Sequence, residues 1–140
     1  MGSKVIKREE QVLFYQFNDQ EKLTSLRGIL EKLHIHSQLL PEAAYRQKVG
    51  YLLGMKGFSA VRQTEDDDFV FPHEVMILHN IKNKRLDMVL AAMREAKIPP
   101  VRFKAVVTPF NTLWTLRRLC ETMQKEHAAM VIGKDDKKDE

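Results

Sequence analysis

The sequence predicts an α/β fold: two β-α-β-α units sharing a small, mainly parallel four-stranded sheet with helices packed on it. Three observations predict it. Val12-Leu13-Phe14-Tyr15 and Val75-Met76-Ile77-Leu78 are short apolar runs with the β-branched and aromatic content of buried strands. After each run the apolar residues advance by three or four, as on one face of a helix: Leu23, Leu26, Leu30 and Leu33, then Leu86, Val89, Met93 and Ala96. The two patterns superimpose at an offset of 63 positions, which also carries Ile35 onto Ile98.

Each helix stops before a second strand, Ser37 to Leu40 and Arg102 to Val107, with Pro99-Pro100 ending the latter helix. Both second strands run into a proline, Pro41 or Pro109, and a further helix is expected after each. A strand-helix-strand unit of this length joins two parallel strands, and strands this uniformly apolar imply a sheet covered on at least part of both faces. The resulting division is an N-terminal arm over 1–10, a first unit over 11–55, a connector over 56–73, a second unit over 74–130 and a disordered, charged tail over 131–140. The connector carries the acidic run Glu65-Asp66-Asp67-Asp68 and then Phe69-Val70-Phe71-Pro72, an aromatic stretch suited to covering a sheet edge.

Composition narrows the function classes. At 140 residues, 44% hydrophobic and 30% charged, the chain is an ordinary globular one. No apolar run approaches the ~20 residues of a membrane span, and no apolar signal core is present, so a cytoplasmic protein is expected. Met1-Gly2-Ser3 opens like a myristoylation signal, but Ile6 stands where Ser or Thr is required. The single cysteine, Cys120, excludes an internal disulfide and a cysteine-ligated zinc, and its spacing from Leu116 and Met123 places it on an apolar helix face. His34 and His36 straddle a helix end with no further ligand at metal spacing, and the glycines form no phosphate loop. No metal or cofactor is expected. Gly28, inside the first helix, implies close packing there.

The net charge is a mild +4, yet residues 82–104 hold seven basic residues (Lys82, Lys84, Arg85, Arg94, Lys97, Arg102 and Lys104) against Asp87 and Glu95. Such a face would suit nucleic acid, with Phe103, Phe110 or Trp114 stacking on bases.

The richest stretch is Lys104-Ala105-Val106-Val107-Thr108-Pro109-Phe110-Asn111-Thr112-Leu113-Trp114. Thr108 suits a helix N-cap, Pro109 the first helical position, and Asn111 the third, from which its amide can reach back to the Thr108 backbone. Capping alone accounts for these residues, and caps are far commoner than pockets. A ligand site is the second account, because α/β sheets bind ligands beyond the carboxyl ends of parallel strands, beside helix N-termini. Asn80, Lys82, Thr108, Asn111 and Trp114 are the candidate ligand-binding residues on that account.

The run from about Glu74 to Met130, through Lys104, Ala105, Thr108, Asn111 and Trp114, resembles the bacterial family catalogued as domain of unknown function 3783. The first unit would be a divergent copy, since Pro41-Glu42-Ala43 replaces the Thr and Asn of the second. The resemblance implies a domain and supplies no activity. The sequence therefore points first to a noncatalytic binding or regulatory module for a small anionic ligand or a protein partner, with no membrane role. The alternative is nucleic-acid binding through the basic face. A small enzyme using Asn111, His79 and Lys82 is the third reading, although no catalytic set assembles. A four-stranded sheet also has open edges, on which a second copy could pair to make a homodimer.

Overall fold

A computed structural model describes residues 9–62 and 69–138, with side chains described through residue 128. Most of the N-terminal arm, the acidic run Glu65–Asp68 and the last two residues lie outside the described residues. The chain divides into two compact units. One is formed by the chain up to Pro41 together with His73–Val107, the other by Glu42–Pro72 together with the chain from Thr108 onward.

The first unit holds the sheet. Strand β1 (Gln11–Tyr15), helix α1 (Gln20–Lys32) and strand β2 (His36–Leu39) are followed, past residue 72, by β3 (Val75–His79), α3 (Asn83–Glu95) and β4 (Phe103–Val106). The order across the sheet is β2-β1-β3-β4. β1 pairs β2 in parallel, β3 pairs β4 in parallel, and the central pair is antiparallel, with Leu13 opposite Ile77 and Phe14 opposite Met76. The sheet is thus mainly parallel, but its two halves run in opposite directions. β3 and β4 end at one rim, and β1 and β2 at the other.

Alternation along the strands decides the faces. Val12, Phe14, Met76 and Leu78 join one apolar core with Leu23, Leu26 and Leu30 of α1 and Val89 and Met93 of α3. Leu13, Tyr15, Val75 and Ile77 on the opposite face are no more than 1% exposed, which is why the central strands read as unbroken apolar runs.

The two halves share local chemistry. α1 and α3 have 13 residues each and end alike: Ile35 N–H bonds Leu30 O at 2.8 Å, and Ile98 N–H bonds Met93 O at 3.0 Å. Both are Schellman closures, with His34 (φ 61°) and Lys97 (φ 58°) in the left-handed position usually given to glycine. The residues leaving β1 and β3, Gln16 (φ 62°) and Asn80 (φ 60°), share that conformation.

Gly28 differs from its expectation. A Cβ there would meet nothing within 4 Å, so no close packing requires this glycine.

The second unit has no sheet among the described residues. The 3-10 turn Glu42–Arg46 and the one-turn helix α2 (Val49–Leu52) stand where a longer helix was expected. Gly54 (φ 75°) ends α2, and Gly50 lies under the Phe58 ring, where a Cβ would overlap it. The 3-10 turn Asn111–Leu113 precedes α4 (Leu116–Lys138). Val49 N–H bonds Trp114 O and Leu116 N–H bonds Gln47 O, each at 2.9 Å, tying the start of α2 to the start of α4. Tyr45, Val49, Leu53, Phe71, Leu116, Leu119, Cys120 and Met123 are buried. Phe69 and Phe71 stack at 6.2 Å, and the Arg117 guanidinium lies 5.1 Å from the centre of the Phe69 ring. The α4 backbone stays helical to Lys138, across a stretch whose composition alone predicts disorder. No proline interrupts the stretch.

Candidate functional site

The stretch from Thr108 to Trp114 forms the reciprocal cap its residues imply. Asn111 Oδ1 accepts the Thr108 N–H at 2.8 Å, and Thr108 Oγ1 accepts the Asn111 N–H at 3.1 Å. Thr112 Oγ1 adds a bond to Pro109 O at 2.9 Å. Asn111 is 8% exposed and Thr112 6%, so the amide is committed to holding the turn. The expected continuous helix does not follow. Trp114 is extended (φ −82°, ψ 150°), and α4 begins only at Leu116, where Thr115 Oγ1 accepts the Arg118 N–H at 3.1 Å. The reason is local: the Thr108–Asn111 pair closes a single 3-10 turn, and the Trp114 carbonyl turns outward to Val49. Trp114 is half-buried with the Arg118 guanidinium 4.4 Å from its ring centre. The same turn leaves Phe110 78% and Leu113 63% exposed.

Asn80 and Lys82 belong to the sheet-bearing unit. There a groove of about 1150 Å³ opens at the rim where β3 and β4 end. Its walls come from Glu9 and Glu10 ahead of β1, Leu33, His34 and His36 where α1 passes into β2, Asn80, Ile81, Lys82 and Arg85 at the entry to α3, and Val106 and Val107 closing β4. The lining includes Asn80 and Lys82, whereas Thr108, Asn111 and Trp114 belong to the other unit.

One side of the groove is fixed by Arg85. Its guanidinium makes three hydrogen bonds to the Glu10 carboxylate, at 2.8, 2.9 and 3.2 Å, and a further one to Leu33 O. The Glu10 hydrogen bonds raise the Arg85 pKa above its ordinary value. Asn80 Nδ2 donates to Glu9 O at 3.0 Å, holding the chain that leads into β1.

The α3 end of the groove has unspent donors. Lys82 caps the helix from an extended conformation (φ −76°, ψ 164°) with no side-chain cap bond, and the first turn holds no acidic residue. The first helical bond is Leu86 N–H to Lys82 O at 2.8 Å, so the preceding N–H groups have no partner within the helix. At the matching place in α1, Asp19 Oδ1 accepts the Lys22 N–H at 3.1 Å, and Glu21 follows in the first turn.

The basic face is less uniform than its sequence. Arg85 is committed to Glu10, and Lys104 Nζ bonds Val101 O at 2.7 Å. Lys82, Lys84, Arg94, Lys97 and Arg102 are exposed. Among the described residues no cluster of His, Cys, Asp and Glu could hold a metal ion, and no described helix is long and apolar enough to cross a membrane.

Sequence reading missed Glu9, Glu10, Leu33, His34, His36, Ile81, Val106 and Val107 as groove residues. They come from four separate stretches and meet only because β1 lies against β3, a pairing no single window records.

No curated protein and no solved structure matches the chain significantly. Residues 74–130, which run from β3 into α4, match the family described as Domain of unknown function (DUF3783).

Proposed function

We propose that the chain is a noncatalytic binding module whose ligand, a small anion, occupies the groove at the entry to α3. The observation that carries this reading is the groove itself, at the rim where two parallel strands end and a helix begins without a side-chain cap bond. Ligands favour that position in α/β sheets because N–H groups and the positive dipole end face it. Lys82 adds a cation there, while α1 meets the same requirement with its own Asp19 carboxylate. On this reading residues 11–55 are a divergent copy of the 74–130 domain in which a side chain has replaced the ligand. Nucleic-acid binding is less well supported, since Arg85 and Lys104 are tied into the fold.

Titration of the protein with acetate and with inorganic phosphate, followed through backbone amide shifts, tests this. Saturable shifts are expected at Ile81 to Arg85. Lys82→Asp is expected to abolish them while stabilising the fold by about 1 kcal/mol, because it supplies the missing cap. Shifts that survive in that variant, or that centre on Thr108 and Asn111, would move the site away from the groove.

A further inference from the structure

The lining of the groove narrows the ligand class, and this step rests on the anion-binding reading above. An inorganic anion alone would call for a shell of donors. Here Lys82 and Asn80 stand beside four aliphatic side chains: Leu33, Ile81, Val106 and Val107. Leu33 and Ile81 pack against the sheet core and remain half-buried, as is Val107, while Val106 is 54% exposed. Leaving such surface in water is unfavourable by about 25 cal/mol per Å², so an apolar body laid over it gains affinity.

The acidic residues limit the charge of the head group. Glu10 is neutralised by Arg85, but Glu9 is exposed at the same groove and opposes a second negative charge. His34 and His36, both exposed and both in the groove lining, offer hydrogen bonds to a polar substituent. We infer that the ligand is an amphipathic monocarboxylate. Its head group lies at Lys82 and the first N–H groups of α3, and its aliphatic or aryl body covers Leu33, Ile81, Val106 and Val107.

The test extends the acetate titration of the full chain to butanoate, hexanoate and octanoate. Affinity is expected to rise about two- to fourfold per added methylene, with amide shifts spreading from Lys82 to Ile81, Val106 and Val107. Val106→Ser, at an exposed position, is expected to lower octanoate affinity at least threefold and to leave acetate unchanged. Equal affinity along the series, with shifts still dependent on Lys82, overturns the inference and leaves the anion-binding reading standing. A rise with chain length whose shifts fall outside the groove, and which Val106→Ser does not alter, also overturns it. No shift with any carboxylate or with phosphate overturns both.

Discussion

Asn111 holds the turn after β4 through its side-chain oxygen. Its Oδ1 holds the Thr108 N–H while its own N–H is held by the Thr108 hydroxyl, and the side chain is buried. Asn111→Ala removes the first bond and leaves the second, so a loss of about 1 kcal/mol is expected in urea unfolding. Groove titrations should be unaffected, because Asn111 does not line the groove. Cys120 offers a different readout. It is fully buried, and burial first, then the nearby Glu121 charge, pushes its thiol up from 9.0 to about 12. The folded protein keeps that proton at pH values where the unfolded thiol, ionising near ~8.5, has lost it. Its contribution to stability is therefore complete below about pH 8.5 and is lost as pH rises toward 12. Wild type should lose more stability than Cys120→Ala between pH 8 and 10.5 in paired urea titrations, and equal losses would remove the thiol from the account.

Helix α1 shows how an element can contain a position that nothing requires. Asp19 caps its start, and Leu23, Leu26 and Leu30 form its buried stripe. Gly28 lies between them with open space where a side chain would go. Gly28→Ala is expected to stabilise the protein by about 1 kcal/mol, seen as a raised thermal midpoint, since alanine restricts the unfolded chain and meets no clash. Strand β2 has the opposite economy. Its residues are mostly exposed at the sheet edge, and Arg27 of α1 reaches over it with Nε 3.3 Å from Ser37 Oγ. A charged side chain held across an edge strand hinders strand addition by another chain.

At the scale of the whole sheet, the antiparallel β1–β3 pair joins two oppositely directed β-α-β halves, and two ion pairs lock the join. Lys22 of α1 meets Glu74, just ahead of β3, at 2.6 Å. Arg85 of α3 meets Glu10, just ahead of β1, at 2.8 Å. Each thus ties the helix of one half to the strand entry of the other. The Lys22 side chain is only 10% exposed, so its charge has little water to fall back on. Glu74→Gln is expected to cost about 1.5 kcal/mol. Glu121→Gln, which breaks the exposed Arg117–Glu121 pair, should cost no more than about 0.5 kcal/mol. Equal effects in chemical denaturation would show that burial adds nothing to the first pair.

What the sequence determined by itself is whatever a short window can hold. The apolar runs of β1 and β3, the 3.6-residue stripes of α1 and α3, and the Thr108–Asn111 cap are contacts between neighbours along the chain, and each stands where its spacing places it. Tertiary structure alone decided the antiparallel centre of the sheet and the joining of Glu9, His34, Lys82 and Val106 around one groove. Those outcomes depend on which strand lies beside which. Nothing in the order of apolar and polar residues within either half distinguishes a neighbour that runs alongside from one that runs against it.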